Sequence, residues 1–343
     1  MEYAGRYNAF DASRIETYPL AGRSNKVKLA DLVFPRDVDS LDLKVPEAVG
    51  RDVEALAQAM VAARSDSKPV ILFSGAHLIK NGLGPLLADL VERKLVTLVA
   101  GNAATSIHDF ELALVGETSE NVPAALGEGQ FGMAYEFAYI NTTLSVGNEQ
   151  KLGYGESLGR FICDEAFREQ VLALAGRSDS PRGCAHPETS VLAACYRQAI
   201  PFTVHAGIGT DVIDQHPNFD GQAKGGCSGR DFLIYAHETT KLTAGGVVLN
   251  IGSAVTGPEV LLKAVSMAAN VGRVPRDILT ADFDLRRHDP QQMTDEAAQG
   301  YYYRDQKSVV TRIPQAFGGK GLYIQGDQKT TFPLLYRTIL HHL

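Results

Sequence analysis

The sequence predicts a doubly wound α/β fold on a mostly parallel sheet, and three observations predict it. Short apolar runs ending in small residues recur along the chain, helical spacing resumes between them, and the β-α-β-α order is maintained. The clearest run is Gly245-Gly246-Val247-Val248-Leu249-Asn250-Ile251-Gly252-Ser253, followed by a helix-patterned segment from Pro258. That is the signature of a buried strand whose carboxyl end opens onto a helix N-terminus, where ligands of open α/β sheets bind.

The elements follow in order. Residues 53–63 carry apolar side chains at helical spacing and stop at Ser65-Asp66-Ser67-Lys68-Pro69. Residues 69–75 read as a short buried strand, 83–93 as an amphipathic helix, 95–101 as the next strand and 107–114 as a helix. Residues 116–160 are glycine-rich and read as an irregular insertion, a lid or assembly arm. A helix is expected over 165–174 and a strand over 200–204. A polar loop then runs to Gly225-Gly226-Cys227-Ser228-Gly229, with a helix from about Arg230 to Leu242. After the Gly245 segment come a helix over 258–270, a strand over 277–281, a strand near 321–327 and a helix over 332–341. Residues 1–50 read as an extension that wraps a core or mediates assembly, and 51–343 as one domain.

Composition narrows the function classes. The 343 residues carry 33 basic and 40 acidic side chains, a formal charge of -7 with no dominant basic patch, which argues against nucleic acid. No apolar stretch approaches membrane-spanning length, and residues 1–10 lack a signal-peptide core. Cys163, Cys184, Cys195 and Cys227 form no CxxC pair, so reduced thiols, a cytoplasmic location and no metal site are expected.

Several strand ends share one pattern, an apolar run, then small residues, then an acid or amide. Small residues let a ligand approach the backbone, and a carboxylate at a strand end can hold ribose hydroxyls or an amine. Together these ends point to a nucleotide site. No GxGxxG opens the first unit and no GxxxxGK[ST] occurs, which disfavours an ordinary dehydrogenase fingerprint and excludes a P-loop. Asp211, after a glycine-rich turn, is a ligand contact or a helix cap. His205, at the end of the same strand, is a candidate for proton transfer.

Over roughly residues 65–340 the chain resembles deoxyhypusine synthase and its bacterial homologues. The resemblance rests on Leu78-Ile79-Lys80-Asn81-Gly82-Leu83, His108-Asp109-Phe110-Glu111, residues 207–211, Gly245-Gly246-Val247-Val248, Thr280-Ala281-Asp282-Phe283-Asp284, and Gly326-Asp327 with Phe332-Pro333. It implies a Rossmann-like homotetramer that binds NAD and transfers the aminobutyl group of spermidine to a protein lysine, beginning with hydride abstraction from the polyamine. The cofactor contacts it implies are His77, Asp109, Gly245, Gly246, Ala281, Asp284, Gly326 and Asp327, with Asp211 facing the substrate amine. The chain departs from the family at Gly75-Ala76-His77 and has no Trp. Arg312 stands nearest the family's catalytic lysine, and a guanidinium stays protonated and forms no imine. Lys307 and Lys320 lie nearby, and Lys307 is the candidate taken to replace it. The expected function is a deoxyhypusine synthase-like enzyme acting on a polyamine or related amine, with a protein or amine acceptor. The alternatives are an NAD-binding protein without transferase activity, or an enzyme with another small-molecule substrate.

Overall fold

The computed structural model describes residues 4–177 and 181–343. Met1 to Tyr3 of the expected extension and Ser178 to Ser180 lie outside the described residues. Six strands form the sheet: β1 Val70–Ser74, β2 Leu98–Gly101, β3 Phe202–Val204, β4 Val247–Ile251, β5 Leu279–Asp284 and β6 Lys320–Gln325. All neighbours are parallel, in the order β3-β2-β1-β4-β5-β6. This is the 3-2-1-4-5-6 arrangement of a doubly wound sheet, which reverses direction between β1 and β4. The expected α/β class therefore holds, and every strand expected from sequence is present.

Burial on both faces explains the composition of the strands. In β1 every residue is buried: Val70 and Leu72 join one core, Ile71 and Phe73 the other. One face is covered by α1 Glu47–Ser65, α2 Ala103–Val115, α3 Phe137–Glu149, α4 Tyr154–Cys163 and α5 Val191–Gln198, and by the C-terminal helix Gln328–His341. Helices Gly221–Thr239 (α6) and Thr256–Asn270 (α7) cover the other, with the segment around Val309 and Ile313. Asn25–Lys28 pairs antiparallel with Glu117–Glu120 in a separate two-stranded ribbon.

Two sequence readings are corrected. The stretch 116–160 is largely helical, and several of its glycines serve close packing inside helices rather than loops. A Cβ on Gly155 would stand 1.8 Å from the Phe202 carbonyl oxygen, and one on Gly147 2.1 Å from Ser157 Oγ. The expected loop ending at Gly229 is likewise the first half of α6, which begins nine residues earlier than read. Helix α5 and the π-helical turn Gln306–Arg312 were not anticipated.

Asp109, expected to touch a cofactor, is fully buried on α2 and caps α5. Its carboxylate accepts from Ser190 Oγ at 2.5 Å, Val191 N at 2.8 Å and Leu192 N at 3.1 Å. Burial pushes its pKa up to about 6 against the pull of those three donors. Asp109→Ala strands the donors and is expected to cost about 2–3 kcal/mol of stability in urea unfolding. A loss below about 0.5 kcal/mol would refute that role.

Candidate functional site

A crevice of about 790 Å³ opens at the carboxyl ends of the strands. Its walls come from the turns after β2 and β3 and from the faces of α6 and α7, so it lies beside the point where the strand order reverses. At the reversal itself the loops after β1 and β4 meet backbone to backbone. Gly75 N donates to Ile251 O at 2.8 Å, and a Cβ on Gly75 would lie 2.1 Å from the Gly252 carbonyl oxygen. This contact closes the edge above β1 and β4 and leaves the opening beside β2 and β3.

Each wall has a local cause. Asn102 directly follows β2 and caps α2, its side chain accepting from Thr105 N at 2.9 Å, which brings Ala103 and Ala104 to the rim. On α6, Gly225 and Gly229 are one turn apart and both line the crevice. A Cβ at either position would meet nothing within 4 Å. Gly226, between them, differs, since a Cβ there would strike Asn148 Oδ1 at 2.3 Å. Packing explains Gly226, whereas Gly225 and Gly229 leave bare helix backbone facing the open space.

Asp211 and His205 both line this crevice. Asp211 is tied to a residue that sequence reasoning missed. Lys224, 1 % exposed on α6, donates through Nζ to Asp211 Oδ2 at 2.7 Å and to Asp214 Oδ1 at 2.5 Å. Burial raises the Asp211 pKa, and Lys224 opposes the rise. The one available signal was a lysine at the start of a glycine-rich helix, and the misplaced boundary of α6 hid it.

His205 is packed rather than poised. Its ring lies 5.7 Å from Phe73 and 5.3 Å from Tyr235 between centroids, and Nε2 meets Thr203 Oγ1 at 3.1 Å. Burial lowers its pKa to about 4, so the imidazole is neutral at pH 7. Between pH 4 and the unfolded value near 6.5 the unfolded chain binds the extra proton. The stabilisation from neutral His205 is thus complete above about pH 6.5 and lost as the pH falls towards 4, by about 3 kcal/mol in all. The stability gap between wild type and His205→Asn should narrow by that order over the interval in urea titrations, and a constant gap would refute it.

The other expected contacts are dispersed. Gly245 and Gly246 precede β4 and sit at the amino-terminal edge of the sheet, beside Lys68 and Thr243. A five-residue strand, about 16 Å, separates them from the carboxyl ends, so they share no site with Asp211. Ala281 is buried within β5. Asp327 caps the C-terminal helix by accepting from Lys329 N at 2.9 Å, with Gly326 just before it. His77 is only partly covered on the turn after β1, and that partial burial of its ring, then Lys80 and His108, lower its pKa. Asp284 ends β5, bonded to Arg286 and to Leu285 N.

Asp284 belongs to a group the sequence did not reveal. Asp282, Asp284 and Asp305 bring carboxylate oxygens within 4.8 Å of one another, and Arg286 bridges Asp284 and Asp305. Asp282 is fully buried, and Asn250 Nδ2 donates to its Oδ1 at 2.7 Å. Burial, then the Asp305 charge, holds its carboxyl well above the usual range. Lys307 lies in the π-helical turn, 5 % exposed, with Nζ 3.1 Å from the Tyr301 ring centroid. Burial and the charges of Arg312 and Arg304 lower its pKa, and it is not among the residues lining the crevice.

A second pocket of about 210 Å³ adjoins the crevice and shares Ala104, Thr210 and Asp211 with it. The ribbon and the segment around Arg23 form one wall, and α2 and the turn after β1 form the others. Arg23 pairs with buried Glu111, Thr118 Oγ1 donates to Glu111, and His108 Nδ1 meets Thr118 Oγ1 at 2.7 Å. Burial raises the Glu111 pKa, but the bonds and charges of His108 and Arg23 outweigh it and hold the group below its usual range. Glu120 accepts from Tyr18 Oη and Gly132 N, each at 2.9 Å. Ser119, next to it, has φ +69°, a left-handed conformation unusual for serine.

No family model and no curated protein matches the chain. Solved structures do. ArgZ, an arginine dihydrolase from the ornithine-ammonia cycle in cyanobacteria, matches at TM-score 0.45 and 15% identity over 85% of this chain and 33% of its own. AgrE, solved with ornithine and NAD+, matches at 0.47 and 15% over 88% and 34%. A provisionally assigned deoxyhypusine synthase from Entamoeba histolytica matches at 0.44 and 11% over 95% and 97%. The chain spans about a third of the length of ArgZ and AgrE. Likenesses at this level say nothing about chemistry. The protein's own topology and crevice define its class, a doubly wound α/β protein with an open crevice on the carboxyl edge of its sheet, beside the switch point. No helix among the described residues is long and apolar enough to cross a membrane.

Proposed function

We propose that this protein is an NAD-binding enzyme that oxidises a small amine at the carbon beside nitrogen. The observation that carries the reading is the crevice on the carboxyl edge beside the switch point of a 3-2-1-4-5-6 sheet, the region where dinucleotides bind in this architecture. The residues fit such a group, because Gly225 and Gly229 expose backbone that any Cβ would obstruct, and Ala103 and Ala104 keep the opposite rim low. Bound NAD supplies the hydride acceptor. The chain's part is to hold the amine as a cation against an acid near the crevice and to keep the reacting carbon beside it.

Aminoalkyl transfer in the manner of deoxyhypusine synthase needs a free lysine amine at the site. Lys307 is absent from the crevice wall, and Lys224 is clamped by two carboxylates. Neither lysine is therefore placed to carry the aminoalkyl group as the family's lysine does, and dehydrogenation of an amine is the simpler reading. A cytoplasmic location and a homotetrameric assembly complete the reading, with Asp284 and His77 the remaining cofactor candidates on the carboxyl edge. Mass spectrometry of the native protein for co-purified NAD, followed by calorimetry with NAD, tests it. Bound NAD and NADH formation with an amine panel are expected, and failure to bind NAD overturns the reading.

A further inference from the structure

We infer that the 210 Å³ pocket beside the crevice is a substrate subsite for a zwitterion of amino-acid size, one carrying a carboxylate as well as an amine. The inference deepens the amine reading above and rests on it for the site's role, though not for the binding itself.

The charges of the pocket carry the argument. Three cationic or basic side chains and three carboxylates line it. Arg23 and Glu111 neutralise each other in a buried pair, His108 is engaged with Thr118, and Asp211 is taken by Lys224. Two groups of opposite sign are left over. Among the described residues neither Lys80 nor Glu120 has an ion-pair partner, and they do not pair with each other although both line one small space. Lys80 is half-buried at the end of the turn after β1, and Glu120 is buried at the end of the ribbon.

An unpaired carboxylate at a buried position is costly unless something cationic meets it. Glu120 receives only neutral donors, from Tyr18 and Gly132, and its two oxygens have lone pairs to spare. A ligand with its carboxylate on Lys80 and its ammonium on Glu120 neutralises both groups at once. Size agrees with charge, because about 210 Å³ equals the share of roughly seven waters at about 30 Å³ each, enough for a small amino acid and too little for a nucleotide. The apolar part of the wall, Ile107, Val122 and Phe137, would meet its side chain. The shared Ala104, Thr210 and Asp211 connect this pocket to the crevice, so a molecule bound here adjoins the space assigned to the cofactor.

The test is pairwise binding, by saturation-transfer NMR and calorimetry on the full chain, of each common α-amino acid and the amine left by its decarboxylation. The expected result is that at least one amino acid binds about tenfold or more tighter than its amine, the size of one charge-assisted hydrogen bond. Lys80→Met should abolish the advantage and Lys80→Arg should retain most of it. Glu120→Gln should weaken amino acids while sparing the corresponding carboxylic acids that lack the amine. Equal or tighter binding of the amines, no binding by either series, or an advantage that survives Lys80→Met in a folded variant overturns the inference. Calorimetry with NAD on the same preparations separates the two readings. NAD binding without any preference for the carboxylate sinks the zwitterion alone, and the preference without NAD binding sinks the cofactor reading alone.

Discussion

Lys224→Met is expected to lower the unfolding free energy by about 3–5 kcal/mol at pH 7, the usual cost of removing one partner from a buried charge cluster. The lysine is 1 % exposed, and the two carboxylates it serves are nearly as inaccessible, at 10% and 6% side-chain exposure. Without the ammonium, two negative charges remain close together in a poorly solvated place. The chain can relieve them only by taking up protons or by opening the segment between Gly207 and Phe219. Protonation gives the prediction a second arm. Burial already raises the Asp211 pKa while Lys224 restrains it, so the substitution leaves the rise unopposed. The variant should therefore lose less stability at pH 5 than at pH 7. Adding Asp211→Asn and Asp214→Asn should recover part of the loss at neutral pH. A loss below about 1 kcal/mol in urea unfolding would show that the cluster contributes no more than a surface pair.

Gly225, Gly226 and Gly229 of α6 are expected to separate into two kinds when substituted. Gly225→Ala and Gly229→Ala should each stabilise the protein by about 0.5–1 kcal/mol, since a helix-interior glycine loses that much to alanine and nothing stands in the way of the new methyl group. Gly226→Ala should destabilise it, because the methyl meets Asn148 Oδ1 at 2.3 Å. Gly229→Leu should weaken NAD binding by about tenfold or more while the protein stays folded, since one extra or misplaced aliphatic group costs about 1–3 kcal/mol in a fitted pocket. Stability that rises while binding falls is the pattern of residues retained for a ligand. Unchanged NAD affinity in Gly229→Leu would remove the crevice as the cofactor site.

The sheet was readable because burial on both faces turns each strand into an uninterrupted apolar run, as in Val70-Ile71-Leu72-Phe73. The order of the strands was not readable, since it depends on crossovers that leave no mark on any single segment. Glycine misled in both directions. In 116–160 and in the first half of α6 it resembled loop, yet Gly147, Gly155 and Gly226 are close-packing positions inside helices. The same error hid Lys224 and the bare face of α6. His205 was found because it directly follows a strand, and Asp211 because it ends the glycine-rich turn beyond it. Lys80 and Glu120 lie 40 residues apart and meet only through the ribbon, and Asp305 joins Asp282 only through the fold of the last crossover. Gly245 and Gly246 were drawn in by similarity of local sequence, which cannot say at which end of a strand a residue lies.

The ribbon has a further consequence for how the protein is made. Asn25 pairs with Glu120, so one strand leaves the ribosome about 95 residues before its partner. At about 5–20 residues per second the early strand waits roughly 5–20 s, with β1, β2 and α2 all synthesised in the interval. Its sequence, Asn-Lys-Val-Lys, suits that wait, because alternating charge and lysine keep an unpaired strand from recruiting a neighbour. The wall that closes the small pocket is therefore fitted only after the first half of the sheet exists, and Glu120 reaches its place at the moment the waiting strand is finally matched.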